Sequence, residues 1–216
     1  MPDFVQWSEL IKEHPNGNIF QTPFMYSIYS KTKNYFPIVI SYYNEHKLTG
    51  ILMAVIQKES KGIFGKLSSR AIISGGPLII DNNFGSITKL LFKYDSEIKE
   101  EALYTQIRNF EVNSESKEFF EKSGYKFSEH LNYLLDLSLG EKKIWETMNK
   151  KRRNSIRKAI KSKLKVVELN SLDEVHQSYD ILKKVYKREK IPLADKSLFL
   201  NSFKILSKNG MVKCFF

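Results

Sequence analysis

Cysteine is almost missing from this sequence. Cys214 is alone in 216 residues, which excludes an intrachain disulfide and a cysteine-based metal cluster. Histidine is nearly as scarce: His14, His46, His130 and His176 lie far apart, without ligand spacing, so no metal and no bound cofactor are expected. No run approaches the roughly 20 apolar residues that carry a helix across a bilayer. The opening MPDFVQWSELIKEH has acids and no long apolar core, unlike a secretory leader. The expected location is the cytoplasm, with peripheral contact at the inner face of the membrane left open. One further lack is local. From Lys150 to Lys165 there are nine lysines and arginines and no acid. The chain carries +11 in all, so the other 200 residues contribute only +2.

What is present supports a folded protein. Hydrophobic residues make up 42% of the chain, with 15 Phe and 11 Tyr, a composition that can bury a core. The length suits one large domain or one and a half smaller ones.

The basic stretch WETMNKKRRNSIRKAIKSKLK, Trp145 to Lys165, is patterned. Met148, Ile156, Ile160 and Leu164 fall on one helical stripe, interrupted by Arg152 and widened by Ala159, which predicts an amphipathic helix. Like charges three and four residues apart repel by a few tenths of a kcal/mol, roughly, per pair, and no acid is in register to offset them. Two readings follow. One is a solvated helix face. The other is a surface for phosphate, nucleic acid or an anionic membrane. On the second reading Arg153, Arg157 and Lys158 bind phosphate while the apolar stripe packs against the rest of the protein.

Along the chain, a short helix from Asp3 to His14 stops at Pro15-Asn-Gly-Asn. Thr22-Pro23 starts a second helix. Phe36–Tyr43 and Leu48–Gln57 read as a hairpin turning at 44–47. Arg70 to Ile80 reads as a strand broken at Ser74-Gly75-Gly76-Pro77. Asp81-Asn-Asn opens a helix of about 17 residues. A strand at 103–110, a short helix at 114–122 ended by Gly124 and an extended stretch at 125–137 follow. After the basic helix the pattern restarts: a strand at 165–169, a helix opened by the capping box Ser171-Leu-Asp-Glu174, a helix at about 196–207, and a strand at 211–216. A chain stopping on Phe215-Phe216 in a predicted strand reads as an incomplete second domain. The expected division is 1–140, a basic linking helix at 141–164, and the start of a second domain at 165–216.

The order of elements in the first part resembles the GNAT acyltransferase fold, and EFFEKSGYKF (Glu118 to Phe127) resembles its late helix-to-strand junction. In order, NIFQTPFMYSIY (Asn18 to Tyr29), RAIISGGPLIID (Arg70 to Asp81), the basic stretch from Trp145 to Leu169 and YKREKIPLADKSLF (Tyr186 to Phe199) resemble the FemA/FemB/FemX family of peptidoglycan-bridge aminoacyltransferases. The resemblance implies an α/β fold of tandem GNAT-like domains. It also implies acyl transfer to an amine of a cell-envelope precursor, with aminoacyl-tRNA as co-substrate, or acyl-CoA as in relatives described as acetyltransferases. The implied partners are a nucleotide- or lipid-linked precursor and tRNA. The turn 81–86, with one glycine and an acid, departs from the glycine-rich pyrophosphate turn of CoA-binding members, so the first domain is not expected to hold acyl-CoA. Asp81 matches the acid after the family's Gly-Pro pair, one residue further on. A chain ending at Phe216 would then bind acceptor without completing transfer.

Acyl transfer requires an amine that loses a proton, a donor carbonyl whose developing charge is stabilised, and both substrates held in line. Asp81 is the candidate for the proton, against the plainer role of helix cap. Arg153, Arg157, Lys158, Arg188 and Arg70 are candidates for phosphate, because the guanidinium fork matches phosphate geometry. Tyr26 and Tyr29 are candidates to stack on a base or sugar, against packing in the core. Two further readings are an acyl-CoA-dependent acetyltransferase of surface polysaccharide, and a non-catalytic basic module binding RNA or anionic membrane, whose affinity would fall steeply with salt.

Overall fold

The computed structural model of the chain describes residues 1–58, 68–80, 84–109, 114–131 and 133–216. Helix α1 (Phe4–Glu13) begins where the Asp3 carboxylate accepts the backbone N–H groups of Val5 and Gln6. It stops in a tight loop in which a Cβ on Gly17 would lie 1.8 Å from the Ile11 carbonyl oxygen, so glycine is required there. Helix α2 (Pro23–Ser30) starts on the Thr22 cap with proline in its first turn.

Strands β1 (Tyr35–Asn44) and β2 (Lys47–Lys58) form the expected antiparallel hairpin, from Tyr35 opposite Gln57 to Asn44 opposite Lys47. Both faces of β2 are buried, and it reads as a near-continuous apolar run for that reason. Its end pairs with β3 (Ser69–Ser74) and its beginning with the two-residue β4 (Leu78–Ile79), both antiparallel. The expected break at Gly75 and Gly76 lies between them, with both glycines at positive φ. Strand β5 (Tyr104–Arg108) runs parallel to β3, so the sheet order is β1-β2-β3-β5 with β4 beside β2.

Helices cover the two faces. On one, Trp7, Ile28, Met53, Val55, Ile72 and Leu78 join the faces of α1 and α2. On the other, Leu52, Ala54, Ala71 and Ile73 meet Leu90, Leu91 and Tyr94 of helix α3 (Phe84–Ile98). Helix α4 (Ser114–Lys122) brings Phe119 and Phe120 to the rim of that second core. Each fully buried aliphatic or aromatic side chain contributes about 1.5–3 kcal/mol.

Two expectations in the middle of the chain are corrected. Residues 125–131 and 133–136, extended in expectation and counted as the last strand of the first part, enter no ladder among the described residues. The basic stretch is two helices and not one: α5 (Gly140–Thr147) and α6 (Lys150–Lys161). Asn149 causes the break, because its side-chain oxygen caps α6 by accepting the Lys151 N–H at 2.8 Å. Met148 is left extended between them. The apolar stripe is also not packed: Ile156 is 36% exposed, Ile160 68% and Leu164 71%. With cations on all its other sides, α6 offers too narrow an apolar strip to seat against the sheet domain.

Helix α7 (Leu172–Glu189) opens with the predicted capping box, the Ser171 hydroxyl accepting the Glu174 N–H while the Glu174 carboxylate accepts the Ser171 N–H. Helix α8 (Lys196–Leu206) lies on α2 and places Leu206 in the first core. Polar ties reinforce this seam: the Lys33 N–H donates to the Ser197 hydroxyl at 2.9 Å, and the Asn201 amide donates to the Lys31 carbonyl at 2.8 Å. The strands expected at 165–169 and 211–216 meet as an antiparallel bridge between Glu168 and Phe215, with Val167 and Phe216 exchanging hydrogen bonds.

Candidate functional site

The break between β3 and β4 is where the sheet opens. Gly75 N–H donates to the Arg108 carbonyl at 2.8 Å, the last rung between β3 and β5. Beyond it the chain crosses to pair with β2. Gln21, fully buried in the short turn before α2, holds the break. Its amide Nε2 donates to the carbonyls of Ser74 and Gly76, and the Trp7 indole N–H donates to the Gln21 carbonyl at 2.7 Å. Gly76 has positive φ, which favours glycine there; a Cβ would fall 2.8 Å from the Asn109 side-chain oxygen, which would have to swing aside.

Next to this break lies an open shelf. Side chains alternate along a strand. Ile72 faces the α1/α2 core, so Arg70 and Ser74 face the same way. Ile107 packs on the α3 side, so Tyr104, Gln106 and Arg108 project onto the shelf, and all three are exposed. Arg70 donates through Nε and Nη2 to Gln57 Oε1, at 3.3 and 3.2 Å. Arg108 makes the same fork to Gln106 Oε1, at 3.2 and 3.0 Å. Both guanidinium groups are thus oriented by neutral amides. Among the described residues neither has a carboxylate within salt-bridge distance. Arg108 sits four positions along from Arg70 in register, about 13 Å at the backbone.

One end of the shelf is aromatic. Tyr35 stacks on Tyr29 with ring centroids 5.9 Å apart. Burial raises the Tyr35 hydroxyl pKa, opposed by the nearby Arg70 charge. Burial pushes Tyr29 up to about 12. Tyr29 is therefore a neutral core residue whose stacking partner is already supplied. Tyr26 packs edge-on against Trp7, 6.0 Å away.

The other sequence-derived candidates lie apart. Asp81 falls outside the described residues. Arg153 is engaged at the α5–α6 corner: its Nη1 donates to the carbonyls of Trp145 at 3.3 Å, Glu146 at 2.9 Å and Met148 at 2.5 Å. It satisfies orphan carbonyls at the end of α5 and is not a free cation. Arg157 lies over the Trp145 ring at 5.5 Å and reaches the Asn154 side chain. Lys158 is exposed. Arg188, in the last turn of α7, pairs with its neighbour Glu189 at 2.8 Å. The structure thus brings Arg70 and Tyr29 together around Tyr35 and leaves Arg157 and Lys158 on α6 and Arg188 on α7.

Sequence reading missed Arg108, Gln57, Gln106 and Gln21. A usable signal existed: Tyr104, Gln106 and Arg108 are polar or amphipathic at alternate positions of a predicted strand, which marks a face that is not core. A concavity of about 450 Å³ between α1 and the hairpin turn is lined by Glu9, Glu13 and Glu45 together with His46 and Lys47. Three carboxylates against one lysine suit a phosphate-bearing ligand poorly. Among the described residues no group of His, Cys, Asp and Glu is arranged to hold a metal ion, and no helix is long and apolar enough to cross a membrane.

No protein-family model and no curated protein matches the sequence. Solved structures do match. The structure of FemX superposes on 100% of this chain with a TM-score of 0.67, at 17% identity. The chain has the fold of FemX. It spans 56% of the FemX chain. The architecture is accordingly an α/β, GNAT-like fold. A transcriptional regulator from Bacillus halodurans C-125 overlaps 62% of the chain and 96% of its own, with a TM-score of 0.46 at 15% identity. An aminoglycoside acetyltransferase from an uncultured soil metagenomic sample overlaps 62% and 88%, with a TM-score of 0.43 at 17% identity.

Proposed function

We propose that this chain is the acceptor-binding part of an acyltransferase that joins an acyl group to an amine of a cell-envelope precursor. The observation that carries the reading is the pair of arginine forks on the open sheet face beside the Gly75-Gly76 break. Each is oriented, and among the described residues neither meets a carboxylate. Their backbone positions lie about 13 Å apart along the strands. A nucleotide-linked muramyl peptide offers such a pair two anionic groups, its pyrophosphate and a peptide carboxylate. The FemX-like fold and the sequence resemblance to the FemA/FemB/FemX family support the same reading.

In the reaction, the amine nitrogen of the acceptor attacks the donor carbonyl carbon and forms the new C–N bond. The C–O bond of an aminoacyl ester, or the C–S bond of an acyl thioester, then breaks, and the displaced hydroxyl or thiol takes up a proton. The amine proton must go to a base, and Asp81, which follows the break in sequence, is the residue we assign to it. The scheme forms no covalent enzyme intermediate, so it gives Cys214 no part; burial raises that thiol's pKa.

The test is equilibrium dialysis of this chain against a UDP-linked muramyl peptide, with UDP-glucose as the control ligand. The reading predicts saturable binding of the muramyl peptide that exceeds binding of UDP-glucose. No binding, or equal binding of the two ligands, contradicts it.

A further inference from the structure

We infer that α6 and the turn after it form a docking surface for an anionic phospholipid bilayer, so that the protein works at a membrane surface. The inference stands apart from the acyl-transfer reading.

Three observations carry it. First, α6 buries no residue against the rest of the protein, and Ile156 and Ile160 are exposed one turn apart. Second, the helix ends so as to extend that apolar strip. Lys163 is at φ 58, its N–H donates to the Ile160 carbonyl at 2.9 Å, and the Leu164 N–H donates to the Ala159 carbonyl at 3.1 Å. These are the paired bonds that fold the residue after a left-handed cap back toward the final turn. They bring Leu164, 71% exposed, toward the end of the Ile156–Ile160 strip. Third, the charges match. Nine cations and no acid lie between Lys150 and Lys165; Arg153 is taken up by the corner, while Arg152 on one side and Arg157, Lys150 and Lys161 on the other border the apolar strip at helical spacing and Lys158 lies opposite it.

A narrow aliphatic strip bordered by lysine and arginine is the composition of a helix lying in a lipid interface. Clustered cations at an anionic leaflet strengthen such docking severalfold per charge. The aliphatic strip also separates this partner from RNA. Single-stranded nucleic acid is gripped by cations together with aromatic stacking platforms, and the ring on this corner, Trp145, already carries Arg157. The corner is preorganised for docking, because the Arg153 guanidinium fixes the angle between α5 and α6.

The experiment is co-sedimentation of the protein with vesicles of phosphatidylcholine alone or mixed with phosphatidylglycerol, with folding checked by circular dichroism. Binding is expected only to the anionic vesicles, weakened by salt. Arg152→Gln with Lys161→Gln should reduce it about tenfold or more, and Ile160→Asn severalfold, while both variants keep the native spectrum because none of these positions is buried. Equal sedimentation with neutral vesicles, or none with either, overturns the inference. So does RNA binding that exceeds vesicle binding and does not respond to Ile160→Asn, which would assign the patch to nucleic acid.

Discussion

Gln21 is a polar side chain with no solvent exposure, and two backbone carbonyls depend on its amide. Replacing it with leucine keeps much of the volume but leaves the Ser74 and Gly76 carbonyls unpaired. Each buried group so orphaned costs about 1–3 kcal/mol. Gln21→Leu should therefore lower the melting temperature by roughly 4–24 °C for a chain of this size, which calorimetry reads directly. His14 has a different consequence. Its Nδ1 accepts the Asn16 N–H at 3.0 Å while its Nε2 faces the Ile79 carbonyl at 3.1 Å. The first bond needs a lone pair and the second a proton, so the ring is neutral. Burial lowers its pKa from the ordinary 6.5. The sign follows: below pH 6.5 the unfolded chain binds a proton that the folded chain resists. Stability should fall with acid between 6.5 and the lower folded value, and His14→Gln should flatten that part of a denaturation profile taken against pH.

At the scale of elements, the α5–α6 corner reverses a simple expectation from charge. Arg153 and Arg157 look equivalent in sequence, four residues apart on one basic helix. One ties three carbonyls together, and the other lies on an indole face. Arg153→Gln should cost about 1–3 kcal/mol by releasing those carbonyls. It should also raise hydrogen exchange across 140–161. Arg157→Gln should change stability by no more than about 1 kcal/mol, the range for an exposed cation–π contact. Equal exchange in the two variants would contradict the corner as described. Sequence could not reveal the corner. A helical pattern that continues through Met148 does not register that Asn149 competes as a cap. By contrast, the hairpin, the glycine break and the capping box at Ser171 were legible, because each rests on local chemistry: β-branched alternation, positive φ and a reciprocal side-chain pair.

At the scale of the molecule, the site was less legible than the fold. Arg70 came from sequence, but its partners Gln57 and Tyr35 lie on other strands, and only the register of the sheet lines them up. Arg108 reaches the same face through a parallel crossover, a long-range pairing that no local pattern announces. The seam of α8 on α2 is likewise set by apolar faces far apart in sequence, through Leu206. The central claim is that the two arginine forks, and not the basic corner, receive the acceptor. Isothermal titration of a UDP-linked muramyl peptide into three proteins tests it: wild type, Arg70→Gln with Arg108→Gln, and Arg157→Gln with Lys158→Gln. Hydrogen bonds to charged groups contribute roughly 1.5–3 kcal/mol each, so the shelf variant should bind at least about tenfold more weakly while the corner variant matches wild type. Undiminished binding by the shelf variant, or a loss confined to the corner variant, would contradict it.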